Sequence, residues 1–491
     1  MMAGRTPLRS YQMPALRLTP NRTASYHDLP LEVGIMLALT SNSAARRRTR
    51  NLVFALALGA ASSPALALAP GEIGSLLTFP VSNTSDDAHA AVMDPDDALV
   101  MVGSANSGAS SALARMSPEG LADGTFGTSG ILGYNFSPAL GDQLRAIVRM
   151  GDGRYAACGE IFSSGGTARD FLTARFNSDG TLDSSFNLSG WADTPFLGSG
   201  VAGLLIDSCN AVAVQADGKI ISAGYTQQFG PQRVALVRYA TDGTLDGTFG
   251  IGGKLVIDAS ASTAGDSSAQ ALLIQPDGKL LIAGNAAGVS NSDFLVMRLN
   301  GDGTPDSGFG TNGIVRTPVG TGADIANAMV LQPDGKIVLA GQAAVGGFAD
   351  FALVRYTSTG AVDATFGTGG LVMTAVGPGE DIAYALALMP WGRLVAAGSA
   401  RISTSAQGTD IAAVAYNVDG SLDRYFGNNG KVMVQATAHP DEQIYGLAMD
   451  ASHTHLWAVG SGVPATDRDF LVLQFGLPDT IFRNGFQTPT P

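Results

Sequence analysis

The sequence is poor in basic residues and in histidine, and each shortage argues against a class of function. Lysine and arginine number 29 against 42 acidic residues, which gives a formal net charge of −13. Nucleic-acid-binding proteins draw most of their affinity from a basic face, so we expect no nucleic-acid partner. The five histidines are scattered, and no His-Glu-x-x-His helix, Gly-x-Ser-x-Gly elbow or phosphate-binding loop occurs. The sequence therefore identifies no catalytic residues and favours a non-catalytic protein over an enzyme.

Long apolar runs are also missing, except for one near the N-terminus. Arg46, Arg47, Arg48 and Arg50 precede the apolar segment 51–61, and small residues follow up to Ala67. A basic stretch, a short apolar stretch and small residues in this order are typical of a signal peptide. We therefore predict that residues 1–67 are an N-terminal extension and signal peptide, with Met36 as the true start. The remaining chain has no second run that could span a membrane, so we expect a secreted or periplasmic protein of a Gram-negative envelope.

Glycine, in contrast, is abundant at 63 residues, and it marks an internal repeat. The string LQPDGKIVLAG (331–341) recurs as LIQPDGKLLIAG (273–284) and in weaker form elsewhere. The glycine that closes each copy falls at seven positions between 56 and 65 residues apart: Gly103, Gly159, Gly224, Gly284, Gly341, Gly398 and Gly460. A regular period of this length is typical of repeat folds.

Each copy predicts four short strands. In the copy at 326–377, the first two strands flank the hairpin turn Pro-Asp-Gly-Lys, and a glycine-rich connection separates the third from the fourth. Seven such units indicate an all-β protein, a seven-bladed β-propeller with four-stranded blades over residues 68–485, followed by a short polar tail, 486–491. The last copy lacks a normal fourth strand, whereas residues 71–90 resemble 250–269. We therefore expect an N-terminal strand to complete the last blade; an open solenoid is the alternative.

The motifs Pro-Asp-Gly-Lys, with its apolar strand and Ala-Gly, and DGTLDGTFGIGG (242–253) resemble the delta-60 repeat family of bacterial proteins. The resemblance covers about residues 71–485. It implies the same propeller fold, usually on secreted or surface proteins, and no established reaction. Two units depart from the pattern, because PWGR (390–393) and ASHTHLW (451–457) replace the hairpin.

An Asp-x-x-Phe motif recurs in the connection between the third and fourth strands of every copy. We interpret it as scaffold, with the aspartate capping the turn and the phenylalanine filling space between blades. The pairs are Asp123/Phe126, Asp183/Phe186, Asp246/Phe249, Asp306/Phe309, Asp363/Phe366, Asp423/Phe426 and Asp479/Phe482.

Five copies carry an arginine on the third strand, and the same five keep the hairpin aspartate. The other two copies have lost both, which indicates that the two residues are partners. We predict five Arg–Asp pairs: Arg115–Asp96, Arg175–Asp152, Arg238–Asp217, Arg298–Asp277 and Arg355–Asp334. Because Cys158 ends a second strand and Cys209 begins the next first strand, we also predict a disulfide between them, with two buried thiols as the alternative.

One face of the molecule, which we call the upper face, collects the starts of the first and third strands and the connections of variable sequence. An acidic residue is predicted just before each first strand: Asp86, Asp142, Asp207, Asp266, Asp324, Asp381 and Asp441. We call these seven the acidic set. They are interpreted as loop caps, or alternatively as a ring that binds calcium or a basic partner.

Recognition usually lies on variable loops held by a rigid scaffold. The sequence therefore predicts an exported, monomeric binding or scaffold module that holds a protein or glycan partner on its upper face. The alternative is a hydrolase or lyase with its site on the same face.

Overall fold

The computed structural model describes residues 71–477, except for 138–139, 164–167, 197–204, 229, 402–407, 437–440 and 464–466. The predicted signal peptide, the tail 486–491 and the pair Asp479/Phe482 lie outside the described residues. The described chain is all β, with 28 strands, two short 3-10 turns and no α-helix. No helix within these residues is long and apolar enough to cross a membrane.

The strands form seven units of four in the described chain. The first strands of the units are β2 (Asp87–Met93), β6 (Asp142–Arg149), β10 (Leu205–Val214), β14 (Ser267–Ile274), β18 (Ile325–Leu331), β22 (Asp381–Leu388) and β26 (Gln443–Met449). The second strands are β3 (Leu99–Ala105), β7 (Tyr155–Ser163), β11 (Ile220–Gln228), β15 (Leu280–Ala287), β19 (Ile337–Ala344), β23 (Leu394–Ala400) and β27 (His455–Gly462).

The third and fourth strands complete each unit. The third strands are β4 (Ser110–Met116), β8 (Ala168–Phe176), β12 (Arg233–Tyr239), β16 (Ser292–Leu299), β20 (Ala349–Tyr356), β24 (Asp410–Tyr416) and β28 (Asp469–Gly476). The fourth strands are β5 (Ile131–Tyr134), β9 (Trp191–Thr194), β13 (Lys254–Ile257), β17 (Ile314–Thr317), β21 (Leu371–Thr374), β25 (Lys431–Val434) and, for unit 7, β1 (Ile73–Phe79).

Within every unit the strands pair antiparallel in order from first to fourth. In unit 7, β1 pairs with β28, and Phe79 lies opposite Phe470, so the N-terminal strand occupies the place that the sequence predicted. Units 2 and 3 are also joined by one parallel bridge, Ile206–Arg169, which makes a continuous eight-stranded sheet. These four-stranded antiparallel sheets are consistent with the predicted propeller.

The hairpin between the first and second strands is stabilised by a glycine with positive φ and by an aspartate that caps the turn. Gly335 has a φ of 82°, a left-handed conformation that glycine adopts without strain. The preceding Asp334 accepts the N–H of Lys336 on its own carboxylate, at 3.2 Å. The same aspartate cap recurs in units 1 to 4, which explains why the string repeats.

The hydrophobic core is divided among the junctions between units. Each of the seven clusters of buried side chains in the described chain draws on two consecutive units. One cluster joins units 7 and 1, because Phe79 and Phe470 pack there with Ala88 and Leu99. The stability of each sheet therefore depends on its neighbours on both sides.

The phenylalanine of Asp-x-x-Phe fills these junctions, as predicted, in the six units where it is described. Its side chain is at most 1% exposed at Phe126, Phe186, Phe249, Phe309, Phe366 and Phe426. A Cβ placed on Gly360 of the following unit would lie 3.0 Å from the ring of Phe309, so the ring sits directly beneath the next turn.

Candidate functional site

The closing glycine of each repeat allows a β-bulge in the facing first strand. In unit 5, the pairing of β18 with β19 shifts between Ala326 and Ala328, so Asn327 has no partner across the sheet. A Cβ on Gly341 would lie 1.9 Å from the carbonyl oxygen of Ile325, a distance that only glycine permits. The equivalent glycine makes an equally close approach in each of the other six units. The repeated Ala-Gly is thus a requirement of the bulge.

The bulge turns one side chain of each first strand toward a shared cavity. We call this space the central cavity; it has a volume of about 490 Å³, and residues of all seven first strands line it. The bulge residues, all half-buried, are His89, Arg145, Asn210, Gln270, Asn327, Tyr384 and Tyr445. A ring of small residues, alanine in six units and glycine in the seventh, follows them along the strands.

Sequence analysis missed these seven residues, although a signal was available. Each stands 14 residues before its closing glycine, or 15 in unit 7, where the hairpin is one residue longer. The seven residues at this position are of five types, while the residues around them repeat. A polar or aromatic residue within an otherwise apolar first strand is the sequence feature that marks the bulge residue.

The bulge residues of units 3 to 5 form an amide wall. Asn210 donates its side-chain N–H to the carbonyl of Ala269 in the next unit at 2.9 Å. Asn327 makes the same contact with Ala383, also at 2.9 Å. Gln270 donates to the hydroxyl of Ser268 at 3.2 Å. Each contact engages one of the two N–H groups of the amide and holds the side chain in place. The oxygen of Asn210 already accepts the hydroxyl of Ser208 at 3.4 Å, whereas the oxygens of Gln270 and Asn327 can accept hydrogen bonds in the cavity.

The bulge residues of units 6, 7 and 1 form an aromatic wall. The ring centroid of Tyr445 lies 5.2 Å from that of Tyr384 and 5.6 Å from that of His89. The hydroxyl of Tyr445 donates to Gln443 at 2.7 Å. Burial, helped by the positive charge of Arg145, lowers the pKa of His89 to about 4, although Asp87 and Glu160 oppose the shift. His89 is therefore neutral at pH 7.

Arg145 links the cavity to an ion-pair network on unit 2. Its guanidinium lies 3.0 Å from Glu160, which is fully buried and also accepts hydrogen bonds from Arg169 at 3.1 and 3.2 Å. Gln143 donates to the same carboxylate. Burial alone would raise the pKa of Glu160, but the two guanidiniums and these hydrogen bonds outweigh burial and hold the pKa below its usual value.

Cys158 and Cys209 form a disulfide in the structure, with their Cα atoms 5.9 Å apart. Cys158 pairs across the sheet with Ala146, which follows Arg145, and Cys209 immediately precedes Asn210. The bond therefore joins units 2 and 3 beside two cavity residues. It limits how far those residues can move apart.

The predicted pairs between third-strand arginines and hairpin aspartates are mostly wrong. Only Arg115 reaches its hairpin aspartate, Asp96, at 2.7 Å. In the other four units the arginine Nε donates to the aspartate of Asp-x-x-Phe: Arg175 to Asp183, Arg238 to Asp246, Arg298 to Asp306 and Arg355 to Asp363, at 2.6 to 2.9 Å. The hairpin residues Asp152, Asp217, Asp277 and Asp334 instead cap their own turns.

The local backbone explains this correction. The connection after the third strand folds back on the strand, and the N–H of Asp363 donates to the carbonyl of Arg355 at 2.8 Å. Arg355 also donates to the carbonyl of Val418 in the next unit and lies 4.6 Å from the ring of Phe366. The arginine is therefore a clamp between units. In unit 6, where the arginine is lost, Arg393 of the hairpin lies 3.3 Å from Asp423.

The acidic set occupies separate loops. In five units its carboxylate accepts backbone N–H groups from the connection that leads into the first strand, as Asp381 does from Val376 at 2.6 Å and Gly377 at 2.9 Å. The other four are Asp86, Asp142, Asp207 and Asp324. All five are nearly inaccessible to solvent. These contacts match the interpretation as loop caps.

Two members of the acidic set were assigned to the wrong residue. Asp266 and Asp441 are exposed, and the capping position belongs to the next residue, Ser267 or the fully buried Glu442. Within the part of the chain that the structure describes, no group of three or more His, Cys, Asp or Glu residues is placed to hold a metal ion. Five of the seven carboxylates are occupied by their own loops, and the alternative calcium ring is not assembled among the described residues.

Sequence comparison supports the repeat interpretation. Four segments, 151–186, 215–249, 275–309 and 332–366, match a family model described as a β-propeller domain of unknown function, DUF5122. The chain is built from β-propeller repeats. The matched segments run from the hairpin to Asp-x-x-Phe, and the finer resemblance to delta-60 repeats rests on the motifs alone. No curated protein matches the chain.

Solved structures match the chain at low identity and with TM-scores below 0.5. A protein of unknown function from Dyadobacter fermentans is 10% identical with a TM-score of 0.42, covering 83% of this chain and all of its own. Virginiamycin B lyase from Staphylococcus aureus is 9% identical with a TM-score of 0.46. The match covers 82% of this chain and 99% of the lyase chain. Chaetomium thermophilum Sqt1, bound to the N-terminus of ribosomal protein L10, is 14% identical with a TM-score of 0.43. The match covers 81% of this chain and 98% of the Sqt1 chain. Likeness at this level says nothing about ligand or activity.

Proposed function

We propose that this protein is an exported, non-catalytic binding module, built as one closed seven-bladed propeller, that receives part of a glycan or protein partner in its central cavity. One observation carries the proposal. One bulge residue from each of the seven units lines one cavity, and these seven residues are of five types, His, Arg, Asn, Gln and Tyr, while the scaffold around them repeats. Diversity confined to one position of a uniform scaffold is typical of recognition.

The closed propeller accounts for three contacts between the chain ends. β1 pairs with β28, a hydrophobic cluster spans units 7 and 1, and the first strand β26 contacts β2. Six of the seven fourth strands, which form the outer edges of the sheets, are only four residues long, and such short edges pair poorly with another chain, which suits a monomer.

A direct test uses the purified protein on glycan and peptide arrays. The Tyr384→Ala/Asn327→Ala double variant removes one residue from each wall, and Val418→Ala, on the exposed opposite side of unit 6, is the matched control. We expect discrete hits for the protein and its control, and at least a tenfold loss in the double variant with an unchanged melting temperature. Blank arrays, or hits indifferent to the double variant, would reject the proposed site.

Export belongs to the proposal and has its own test. The predicted cleavage after Ala67 would make Leu68 the first residue of the mature protein. Expression from Met36 in a Gram-negative host, followed by fractionation and N-terminal sequencing, should give a periplasmic or secreted chain that begins at Leu68. A cytoplasmic chain that still carries residues 36–67 would contradict export.

A second candidate function, a hydrolase or lyase, is favoured by His89 and Tyr445. A neutral imidazole at pH 7 can accept a proton, and a tyrosine ring lies 5.6 Å away. Incubation of each array hit with catalytic amounts of protein, followed by mass spectrometry, distinguishes the two functions. Multiple turnovers abolished by His89→Gln would establish the enzyme, whereas intact ligand recovered with the protein supports the binding module.

A further inference from the structure

The central cavity has a positive corner in a molecule that is acidic as a whole. Glu160 is the shared partner of Arg145 and Arg169, so two guanidinium groups meet one carboxylate. The arginine side chains remain 35% and 37% exposed, whereas Glu160 is inaccessible. The corner therefore has an excess positive charge and donors that face solvent. A carboxylate is, with a phosphate, one of the two groups that match the geometry of an arginine fork.

The aromatic wall offers a different kind of contact. Tyr384 and Tyr445 are half-buried and lie next to each other at the edge of the same cavity. Aromatic side chains present large rigid apolar surfaces, with hydroxyl groups at their edges. They suit a ligand that has a flat apolar face and polar groups around its rim.

The amide wall supplies acceptors for hydroxyl groups. Asn327 donates one of its two amide N–H groups to the carbonyl of Ala383, which fixes the side chain, and its oxygen can accept a hydrogen bond from a ligand. Gln270, bonded through its N–H to Ser268, is placed in the same way. Acceptors fixed by such contacts discriminate in favour of ligands that can donate hydrogen bonds.

We propose that the central cavity binds a uronic acid residue of an acidic glycan, and this inference rests on the function proposed above. The carboxylate pairs with Arg145, the apolar face of the sugar ring packs on Tyr384 and Tyr445, and ring hydroxyls donate to the amide wall. The volume of about 490 Å³ lies within the roughly 300–1,000 Å³ typical of small-ligand sites. An acidic peptide would satisfy Arg145 but would leave the amide oxygens without hydroxyl donors.

Calorimetry with matched probes tests the inference. Galacturonic acid, galactose, acetate and an acidic peptide, Asp-Asp-Gly, are each titrated into the purified protein at pH 7. We expect galacturonic acid to bind at least tenfold more tightly than any of the other three. Arg145→Gln should reduce galacturonic acid to the affinity of galactose, and Tyr384→Ala should weaken both sugars by a similar factor.

Two further variants guard against effects on folding. Arg145→Gln/Glu160→Gln removes the buried carboxylate together with one of its two partners and leaves the partly exposed Arg169 to solvent; it should lose galacturonic acid selectivity while melting cooperatively. Arg424→Gln neutralises an exposed arginine on the opposite side of unit 6 and should bind like the parent protein. Equal effects of the Arg145 and Arg424 variants would mean that only total charge matters, which overturns the inference.

The possible failures separate the two proposals. Binding of galactose or of the peptide equal to that of galacturonic acid, and lost with Tyr384→Ala, overturns the uronic acid but retains the cavity as the site. Binding of galacturonic acid that no cavity variant weakens overturns both the uronic acid ligand and the cavity as the binding site.

Discussion

The aspartate of Asp-x-x-Phe connects three parts of each unit. Asp363 caps the N–H of Thr365 at 3.1 Å, pairs with Arg355 at 2.8 Å and lies 3.5 Å from Lys336 of the hairpin. Burial opposes its ionisation, yet these hydrogen bonds and the charge of Arg355 lower the pKa of Asp363 to about 2. The arginine therefore depends on a residue eight positions later, and not on the hairpin aspartate whose loss accompanies its own.

This assignment predicts unequal costs for two substitutions in unit 5. Arg355→Gln leaves the nearly inaccessible Asp363 without its main partner and removes the contact with Val418, so we expect a loss of about 3–5 kcal/mol in the free energy of unfolding. Asp334→Asn keeps the turn cap at an exposed site and should cost less than about 1 kcal/mol. Chemical denaturation measures the free energy of unfolding of both variants. Similar losses for Arg355→Gln and Asp334→Asn would support a pair between Arg355 and the hairpin residue Asp334 instead.

Asp207 predicts a pH dependence of stability. Burial, with the nearby charge of Asp170, raises the pKa of Asp207 to about 6, although the N–H of Phe196, the hydroxyl of Thr226 and the charge of Lys254 oppose the shift. The folded state therefore binds this proton more tightly than the unfolded state does. The stabilising contribution is complete below about pH 3.8 and is lost as pH rises to about 6.

Replacement of Asp207 by asparagine removes this dependence. We expect Asp207→Asn to raise the free energy of unfolding by on the order of 2 kcal/mol at pH 7.5 and to change it little at pH 3.5. Urea titrations at both pH values measure the free energy of unfolding of the variant and of the parent protein. A difference between the two proteins that is the same at pH 3.5 and pH 7.5 would contradict the raised pKa of Asp207.

At the scale of the strand pair, the closing glycine and the bulge are one structural device. The glycine removes a Cβ, the facing strand moves into the space, and one residue is displaced toward the cavity. The same geometry holds side chains as different as Arg145 and Tyr384 at equivalent places. Recognition can therefore vary without any change in the sheet.

Gly341→Ala tests this device. The new methyl group would overlap the carbonyl of Ile325, so β18 must shift and carry Asn327 with it. We expect a loss of about 1–3 kcal/mol in the free energy of unfolding, together with weaker binding of any cavity ligand. Gly347→Ala, which would meet nothing within 4 Å, is the control in the same unit. Equal stability of the two variants would show that the bulge does not need the glycine.

For the whole molecule, the decisive contacts join residues far apart in the chain. Phe79 is buried in the cluster between units 7 and 1, whereas Leu76 on the same strand is 40% exposed. If the ring is closed, every unit has a neighbour on both sides, and damage at this junction weakens the whole array rather than one end.

We therefore expect Phe79→Ala to cost about 3–5 kcal/mol and to lower the temperature of a single unfolding transition. Leu76→Ala should have little effect, because its side chain already faces solvent. Calorimetry of both variants distinguishes the closed ring from an open array, in which Phe79→Ala would add a separate low-temperature transition and leave the main transition in place.

Patterns within about 60 residues were readable from the amino-acid order alone. The seven copies, the hairpin turns, the buried phenylalanines and the place of β1 follow from local turn chemistry and from repetition, and the structure has them where predicted. The hairpin turns depend on residues that are close in sequence, whereas the number of units and the place of β1 come from comparing the copies with one another.

The partner of Arg355, the capping roles of Ser267 and Glu442, and the seven residues of the central cavity emerged only in three dimensions. A bulge displaces the pairing by one residue, and a one-residue error moves a side chain to the other face. The cavity also requires residues of seven strands, with His89 and Tyr445 356 residues apart (445 − 89), to line one space. Periodicity within a single copy contains no information about what the other six place beside it.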